Sequence, residues 1–463
     1  MRKIKRKFTL DDQIKFASFS GDYNPIHINI EESKKTHAGE PIVYGIYLIM
    51  WALESLKIKI KKGDLLTIDF NHQVNLKKDV YIITNKLKNF IQVVGPENLI
   101  YSSITINKSN DIKKEKPTNK EVLFSAKIIE PEELNFEDIE VNKKYFNLLG
   151  GPKKQIGKKL FPYLTEKLGL ELLYEIASLS SIVGMKIPGR HSLFAGLKLS
   201  FIEYQSRPFI IVKKKHKIFK HLLIEYSGIN LSASIKAFVR PKSVETDSIK
   251  KLKNTYKKKI SLKNKKVLII GGSRGLGAYI TKLSLIMGAR VTFTYCICKN
   301  DAFEIFNDAT TNNYQVTFMK LNINKKQDLE KIPNNFDMVY YLATPKIRSN
   351  KNKFNFEIYE FYKTFYVKGF SLVVDKFLNN KIVPKIFFPS SIFINESKKE
   401  FKEYIKAKTD GEKICDFYKK KHSLKIIYPR IPQLETDQNL SIFPNKTNNT
   451  AEEALKIINL MVK

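Results

Sequence analysis

Apolar positions follow two different rhythms along the chain. From residue 265 onward, short apolar runs recur at 267–270, 290–295, 316–321, 338–342, 386–388 and 424–428, with helix-like stretches between most of them. Short apolar strands alternating with helices predict a parallel, doubly wound sheet of the α/β Rossmann kind. The first 244 residues read differently. A long apolar helix at 45–56 is followed by alternating strands at 65–70, 80–84 and 101–106. A second helix at 172–185 is followed by strands at 197–202, 209–212, 221–226 and 232–239. One helix against an antiparallel sheet, twice over, predicts an α+β region and a diverged internal duplication.

Two polar, Lys-rich stretches, 107–120 and 245–259, interrupt these patterns and read as linkers. They divide the chain into segments 1–110, 121–244 and 260–463. A chain of 463 residues exceeds one ordinary core. No apolar run reaches the ~18 residues of a membrane span. The basic start of the chain meets Thr9, Asp11 and Asp12 rather than the apolar core of a signal peptide. Cys296, Cys298 and Cys415 match no zinc spacing and are expected to be reduced and structural. These features predict a cytoplasmic enzyme.

The formal charge of +35 changes the picture only in part. It comes mostly from Lys scattered along the chain, whereas Arg, the better bidentate phosphate ligand, is scarce. No specific nucleic-acid partner is expected. Attraction to an acidic carrier protein or to coenzyme A phosphates fits better.

Candidate chemistry appears first after the 267–270 run. Gly271-Gly272-Ser273-Arg274-Gly275-Leu276-Gly277 is a strand-to-helix turn whose amides can approach a pyrophosphate, with the helix N-terminus adding positive potential. Tyr404 and Lys408 stand one helical turn apart on one face, and Ser391 lies thirteen residues before Tyr404, past the 386–388 strand. In this arrangement the segment 263–463 resembles the short-chain dehydrogenase/reductases. The resemblance implies that Tyr404 donates a proton to a substrate carbonyl. It also implies that Lys408 lowers the tyrosine pKa and holds the nicotinamide ribose, and that Ser391 hydrogen-bonds the carbonyl oxygen. The dinucleotide site would comprise Gly271, Ser273, Arg274, Gly275, Leu276, Gly277, Asn322, Ala343 and Lys408. NADP(H) is expected, with NAD(H) possible. The 290–295 strand ends without a carboxylate, and Arg274 and Lys299 stand ready for a 2′-phosphate. Departures from the family are Tyr366 where Asn is frequent, Asn322 where an acid is usual, and Leu342-Ala343-Thr344-Pro345 in place of Asn-Asn-Ala-Gly.

In the first segment, Asp22 and His27 bracket Asn24 and Pro25, and the proline fixes a turn able to aim both side chains at one point. Such a pair can activate water. The stretch from Ser20 to His27, with Pro41-Ile42-Val43-Tyr44-Gly45, resembles the MaoC-like (R)-specific enoyl-thioester hydratases of the hot-dog fold. The resemblance implies that Asp22 and His27 hold the catalytic water and that the Gly45 amide stabilises the enolate oxygen. Tyr44 stands where relatives commonly have His. The second segment resembles the same fold around 181–192 but lacks the Asp-to-His motif, and its His191 reads as structural. A silent second half would complete a double hot-dog and line the acyl tunnel.

Together these resemblances imply a bifunctional enzyme, an (R)-3-hydroxyacyl dehydratase joined to a 3-oxoacyl reductase. Its substrates would be thioesters of coenzyme A or an acyl carrier protein, and a homodimer is expected. Two alternatives stay open. One is a reductase of a sugar nucleotide or other carbonyl with a scaffolding hot-dog region. The other is a non-enzymatic, NADP-binding sensor.

Overall fold

The computed structural model describes residues 4–109, 116–201, 207–256, 260–378, 380, 383–441 and 446–463. The expected linker 107–120 and the expected strand end at residue 202 therefore fall partly outside the described residues. The chain forms two compact units, Met1–Lys242 with Ser441–Phe443, and Ser243–Leu440 with Pro444–Lys463.

The first unit is built on one ten-stranded antiparallel sheet. Its strands are β1 (Ile4–Lys7), β2 (Leu65–Phe70), β3 (Asp79–Thr84), β4 (Phe90–Val94), β5 (Ile100–Asn107), β6 (Lys144–Tyr145), β7 (Ser192–Ser200), β8 (Phe209–His216), β9 (His221–Ser227) and β10 (Ser232–Val239). Their order is β1-β3-β4-β5-β2-β7-β10-β9-β8-β6. Each half repeats one permutation outward from the shared β2–β7 pair, as a duplicated segment would. In β2 the alternation puts Leu66 and Ile68 inside, and in β10 it puts Ala233, Ile235 and Ala237 inside. The helices Gly45–Ser55 and Leu170–Ser181 pack against the sheet, and nearly every side chain of both is buried. Burial all round explains why the Gly45–Ser55 helix shows no polar stripe in the sequence. The space bordered by Ile49, Leu66, Leu164, Leu173 and Leu197 measures about 10 Å³. That is room for one water.

The strands β1, β4 and β6 are not apparent in the apolar pattern. The first reads as a basic tail because Lys5 and Lys7 alternate with Ile4 and Arg6.

The second unit carries β11 (Lys266–Ile270), β12 (Arg290–Tyr295), β13 (Val316–Lys320), β14 (Met338–Tyr341), β15 (Lys385–Phe387), β16 (Ser390–Ser391), β17 (Ile426–Ile427) and β18 (Arg430–Ile431). The main sheet runs β13-β12-β11-β14-β15-β17, all parallel. This is the doubly wound Rossmann order, with the switch point beside β11. The stretch expected as a linker at 245–259 instead holds the helix Ile249–Thr255, whose Ile249 and Leu252 are fully buried in this unit's core. Its polar residues are the exposed face of an amphipathic turn. Among the described residues, no single helix is long and apolar enough to cross a membrane.

Candidate active sites

The first candidate site starts from the turn after the Leu10–Ser20 helix. Asn24 caps the short helix Pro25–Ile28, its side-chain oxygen accepting from the Ile26 amide at 3.2 Å. This puts Asp22 before the cap and His27 one turn into the helix. His27 Nδ1 lies 2.8 Å from the carbonyl oxygen of Ile42. A carbonyl only accepts, so Nδ1 carries the proton and Nε2 keeps its lone pair. Burial pulls the imidazole down to about 4, the bond to Ile42 opposes this, and the charge of Arg240 adds to it. His27 is therefore neutral at physiological pH.

Asp22 is 2 % exposed. Its carboxylate accepts from Ser180 Oγ at 2.7 Å and from the Asn24 amide at 3.0 Å. Burial pushes it up to about 7, against the pull of those two bonds. Tyr44 joins the pair. Its ring stacks on His27 with centroids 3.8 Å apart, and its hydroxyl donates to the Asp22 carbonyl oxygen at 2.5 Å. Tyr44 is also the N-cap of the Gly45 helix, which has no side-chain cap, so the first-turn amides keep their donors beside the pair. The Phe70 ring lies so close that a Cβ at Gly45 would sit 2.8 Å from it. The structure thus brings Asp22, His27 and Gly45 together through Tyr44.

The second segment contributes to this site although it lacks the motif. Ser180 comes from the Leu170–Ser181 helix, and Gly184 from the π-turn Ile182–Lys186. Asn24 Nδ2 donates to the carbonyl oxygens of Gly184, Gly189 and Arg190 at 2.8, 3.2 and 3.2 Å. Sequence reasoning missed Ser180, because its partner lies 158 positions away and no local pattern marks it. His191 is held by Glu133 at 2.7 Å, as a structural histidine would be.

The second candidate site lies at the C-terminal ends of β11 to β15. The Gly271 and Gly272 amides donate to Thr294 Oγ1 and to the Thr294 carbonyl at 3.1 and 2.9 Å. A Cβ at Gly277 would sit 2.1 Å from the Gly271 carbonyl oxygen, so only glycine lets the helix Gly275–Ile286 start this close. Arg274 is its N-cap and supplies no side-chain capping bond. The amides of Gly275, Leu276 and Gly277 therefore remain donors at the helix start, which suits a pyrophosphate. Ser273 lies in the turn itself. Ala343 lies two residues past β14, and its amide packs against Gly271. Asn322 follows β13 and folds back on its own turn, its side chain accepting from the Asn324 amide at 3.1 Å.

Two expectations change here. Arg274, expected to face a phosphate, is paired with Asp301 and Asp437, which flank the turn from the helix Lys299–Thr311 and from the segment after β18. Lys408, expected to lower the pKa of Tyr404, has its Nζ 5.8 Å from the Tyr404 ring centroid, yet burial holds Tyr404 above its usual value. The same Nζ donates to the Pro389 carbonyl at 2.6 Å and lies 3.8 Å above the Tyr366 ring. Burial pulls Lys408 down to about 7 and pushes Tyr404 up to about 12, with a hydrogen bond to Ser391 opposing the latter. Ser391, Tyr404 and Lys408 are each at least nine-tenths buried. Tyr366 reaches this cluster from the π-turn Thr364–Gly369, its hydroxyl 2.6 Å from Thr344 Oγ1 and its ring 5.7 Å from that of Tyr404. Of the cysteines, Cys298 and Cys415 are buried but Cys296 is exposed, not part of the core.

No curated protein matches the chain. Similar solved structures include a short-chain dehydrogenase/reductase from Serratia marcescens BCRC 10948 (16 % identity, 43 % of this chain, 91 % of that one, TM-score 0.38). An alcohol dehydrogenase from the archaeon Thermococcus sibiricus, complexed with 5-hydroxy-NADP, is 14 % identical over 43 % of this chain and 92 % of that one (TM-score 0.39). An acetoin dehydrogenase from Salmonella typhimurium is 15 % identical over 43 % and 89 % (TM-score 0.38). The family described as MaoC like domain matches residues 2–126, and the first unit of this chain thus carries a MaoC like domain.

Proposed function

We propose that the chain is a bifunctional enzyme of acyl thioesters, an (R)-specific enoyl hydratase/3-hydroxyacyl dehydratase in its first unit and a 3-oxoacyl reductase in its second. The observation that carries this reading is the Asp22–His27 pair beside the Gly45 helix start, its carboxylate buried and its imidazole half-buried, inside a MaoC like domain. In the hydration direction His27 Nε2 takes a proton from water as the oxygen adds to C3, and the Asp22 carboxyl gives a proton to C2. Dehydration reverses both transfers. An Asp22 held near neutrality and a neutral His27 suit an acid and a base working at one pH. The amides at the start of the Gly45 helix receive the oxyanion that develops on the thioester.

In the second unit Ser391 hydrogen-bonds the substrate carbonyl, Tyr404 protonates its oxygen, and Lys408 holds a ribose. The Gly271–Gly277 turn, Asn322 and Ala343 hold the dinucleotide. When bound, a nicotinamide dinucleotide supplies hydride to the carbonyl carbon. We favour NADP(H), with Arg274 and Lys299 on the 2′-phosphate. Arg274 then exchanges one of its aspartates for the phosphate. A 3-oxoacyl thioester reduced in the second unit becomes the hydroxyacyl substrate of the first, carried on coenzyme A or an acyl carrier protein, in a cytoplasmic homodimer. The test is NADPH consumption with acetoacetyl-coenzyme A, with Tyr404→Phe as control and mass spectrometry to detect the enoyl product. No NADPH consumption and no water exchange on an enoyl thioester would sink the reading. A second reading, a dinucleotide-binding module without turnover, is favoured by the Lys408 ammonium held on the Pro389 carbonyl over the Tyr366 ring. It predicts NADPH binding and no oxidation.

A further inference from the structure

Arg240 follows β10 directly and is 6 % exposed. Its amide donates to the His191 carbonyl at 2.8 Å, which fixes its backbone beside the 189–191 turn. Its Nη2 donates to the Arg190 carbonyl oxygen at 2.7 Å. The same oxygen accepts from Asn24 Nδ2 at 3.2 Å. One carbonyl therefore ties the guanidinium to the loop that carries Asp22 and His27. Arg240 Nε has no hydrogen-bond partner. Among the described residues no carboxylate pairs with Arg240, since the nearby acids are engaged elsewhere. Glu32 pairs with Lys35 and Arg190, and Glu133 with His191 and Lys242. A buried guanidinium with a bare N–H is costly and is not explained by packing alone.

We propose that Arg240 is a positioning residue for the Asp22–His27 pair, a buried cation from the motif-less second half that holds the loop through the Arg190 carbonyl and keeps the surroundings of His27 positive. The proposal rests on the hydratase reading above but addresses how the loop is held. The groups facing His27 are Asp22 from its own loop, Tyr44 from the start of the Gly45 helix, and Arg240 from the end of β10, with Arg190, Glu32 and Glu133 behind the last. Of these, Arg240 is the cation whose charge reaches His27 and disfavours a proton on it. The second half then supplies the electrostatic setting of a site whose motif lies wholly in the first.

The test uses the full chain with labelled histidines, His27 being assigned through a His27→Gln variant. In Arg240→Met, His27 should take up its proton roughly one pH unit higher than in the parent. The acid limb of kcat/KM for enoyl-thioester hydration should move up with it, with KM little changed. Arg240→Lys, which restores the charge, should return both. Should Arg240→Met fail to fold, Arg240→Gln carries the same test. A His27 midpoint unmoved in a folded, uncharged variant overturns the proposal. So does an acid limb that moves equally in Arg240→Lys and Arg240→Met. Wild-type chain without hydratase activity but with the His27 shift would instead remove the functional reading and leave the positioning role standing.

Discussion

Gly184 is the most exacting test of the first site. A methyl group there would sit 2.3 Å from Asp22 Oδ1 and 2.6 Å from its Cγ and Oδ2. Ordinary contact begins at 3.4 Å, so the carboxylate or the π-turn must yield by about 1 Å. Neither moves freely. Ser180 and the Asn24 amide grip Asp22, and the Gly184 carbonyl accepts from Asn24 Nδ2 at 2.8 Å. Gly184→Ala should therefore cost about 1–3 kcal/mol of strain. In a unit of this size that lowers the melting temperature by some 2–12 °C. The displaced carboxylate should cost about 10²-fold in hydration kcat/KM, since a 1 Å misplacement has that effect on general acid–base steps. The assay is hydration of a short enoyl thioester beside a thermal melt, with dinucleotide binding by the second unit as the unaffected control. A folded Gly184→Ala chain with kcat/KM within about twofold of wild type would refute the reasoning, because Asp22 would then not act from where it lies.

Four further outcomes follow from the geometry. Asp22→Asn should abolish hydration yet raise stability at neutral and higher pH. The carboxyl is raised in the folded state from near 4 to about 7, so wild type is stabilised by it at low pH and loses that as pH rises through about 7. Thermal melts at pH 5 and 8 should show a decline in wild type that the Asn variant lacks. Reductase kcat/KM should fall above about pH 7 as Lys408 loses its proton, while Tyr404, pushed up to about 12, stays protonated throughout. A profile flat to pH 9 would contradict this. Gly277→Ala, whose methyl would meet the Gly271 carbonyl at 2.1 Å, should abolish dinucleotide binding and leave enoyl hydration intact, checked by NADPH fluorescence and hydration rate. Tyr366→Phe strips the hydroxyl from Thr344 and should cost about 1–2 kcal/mol in the second unit, read from its denaturation midpoint.

The Rossmann unit was legible because its central strands, β11 and β14, are continuous apolar runs buried on both faces. A run such as Val267–Ile270 cannot be mistaken for a surface element, and of the glycines after it Gly277 is required by its contact with the Gly271 carbonyl inside the turn. Strands with one wet face were harder to read. Ile4–Lys7, with three basic residues in four, looks like a tail until β3 pairs with it. The helix Ile249–Thr255 was hidden for a similar reason, since two buried side chains in a Lys-rich stretch give no period.

The sites divide along the same line. Asp22, His27, Tyr404 and Lys408 are visible because turn and helix geometry fix their mutual spacing within a few residues. What sets their protonation is not local. Ser180 reaches Asp22 across 158 positions, and Tyr366 reaches Lys408 only because a π-turn rotates it inward. The expectation that Lys408 lowers the pKa of Tyr404 requires the lysine to be charged. Aromatic packing by Tyr366 and Phe388 leaves the ammonium with one carbonyl partner and makes its neutral form accessible. Spacing alone therefore locates an acid or base, and the residues packed around it from distant segments decide at which pH it can act.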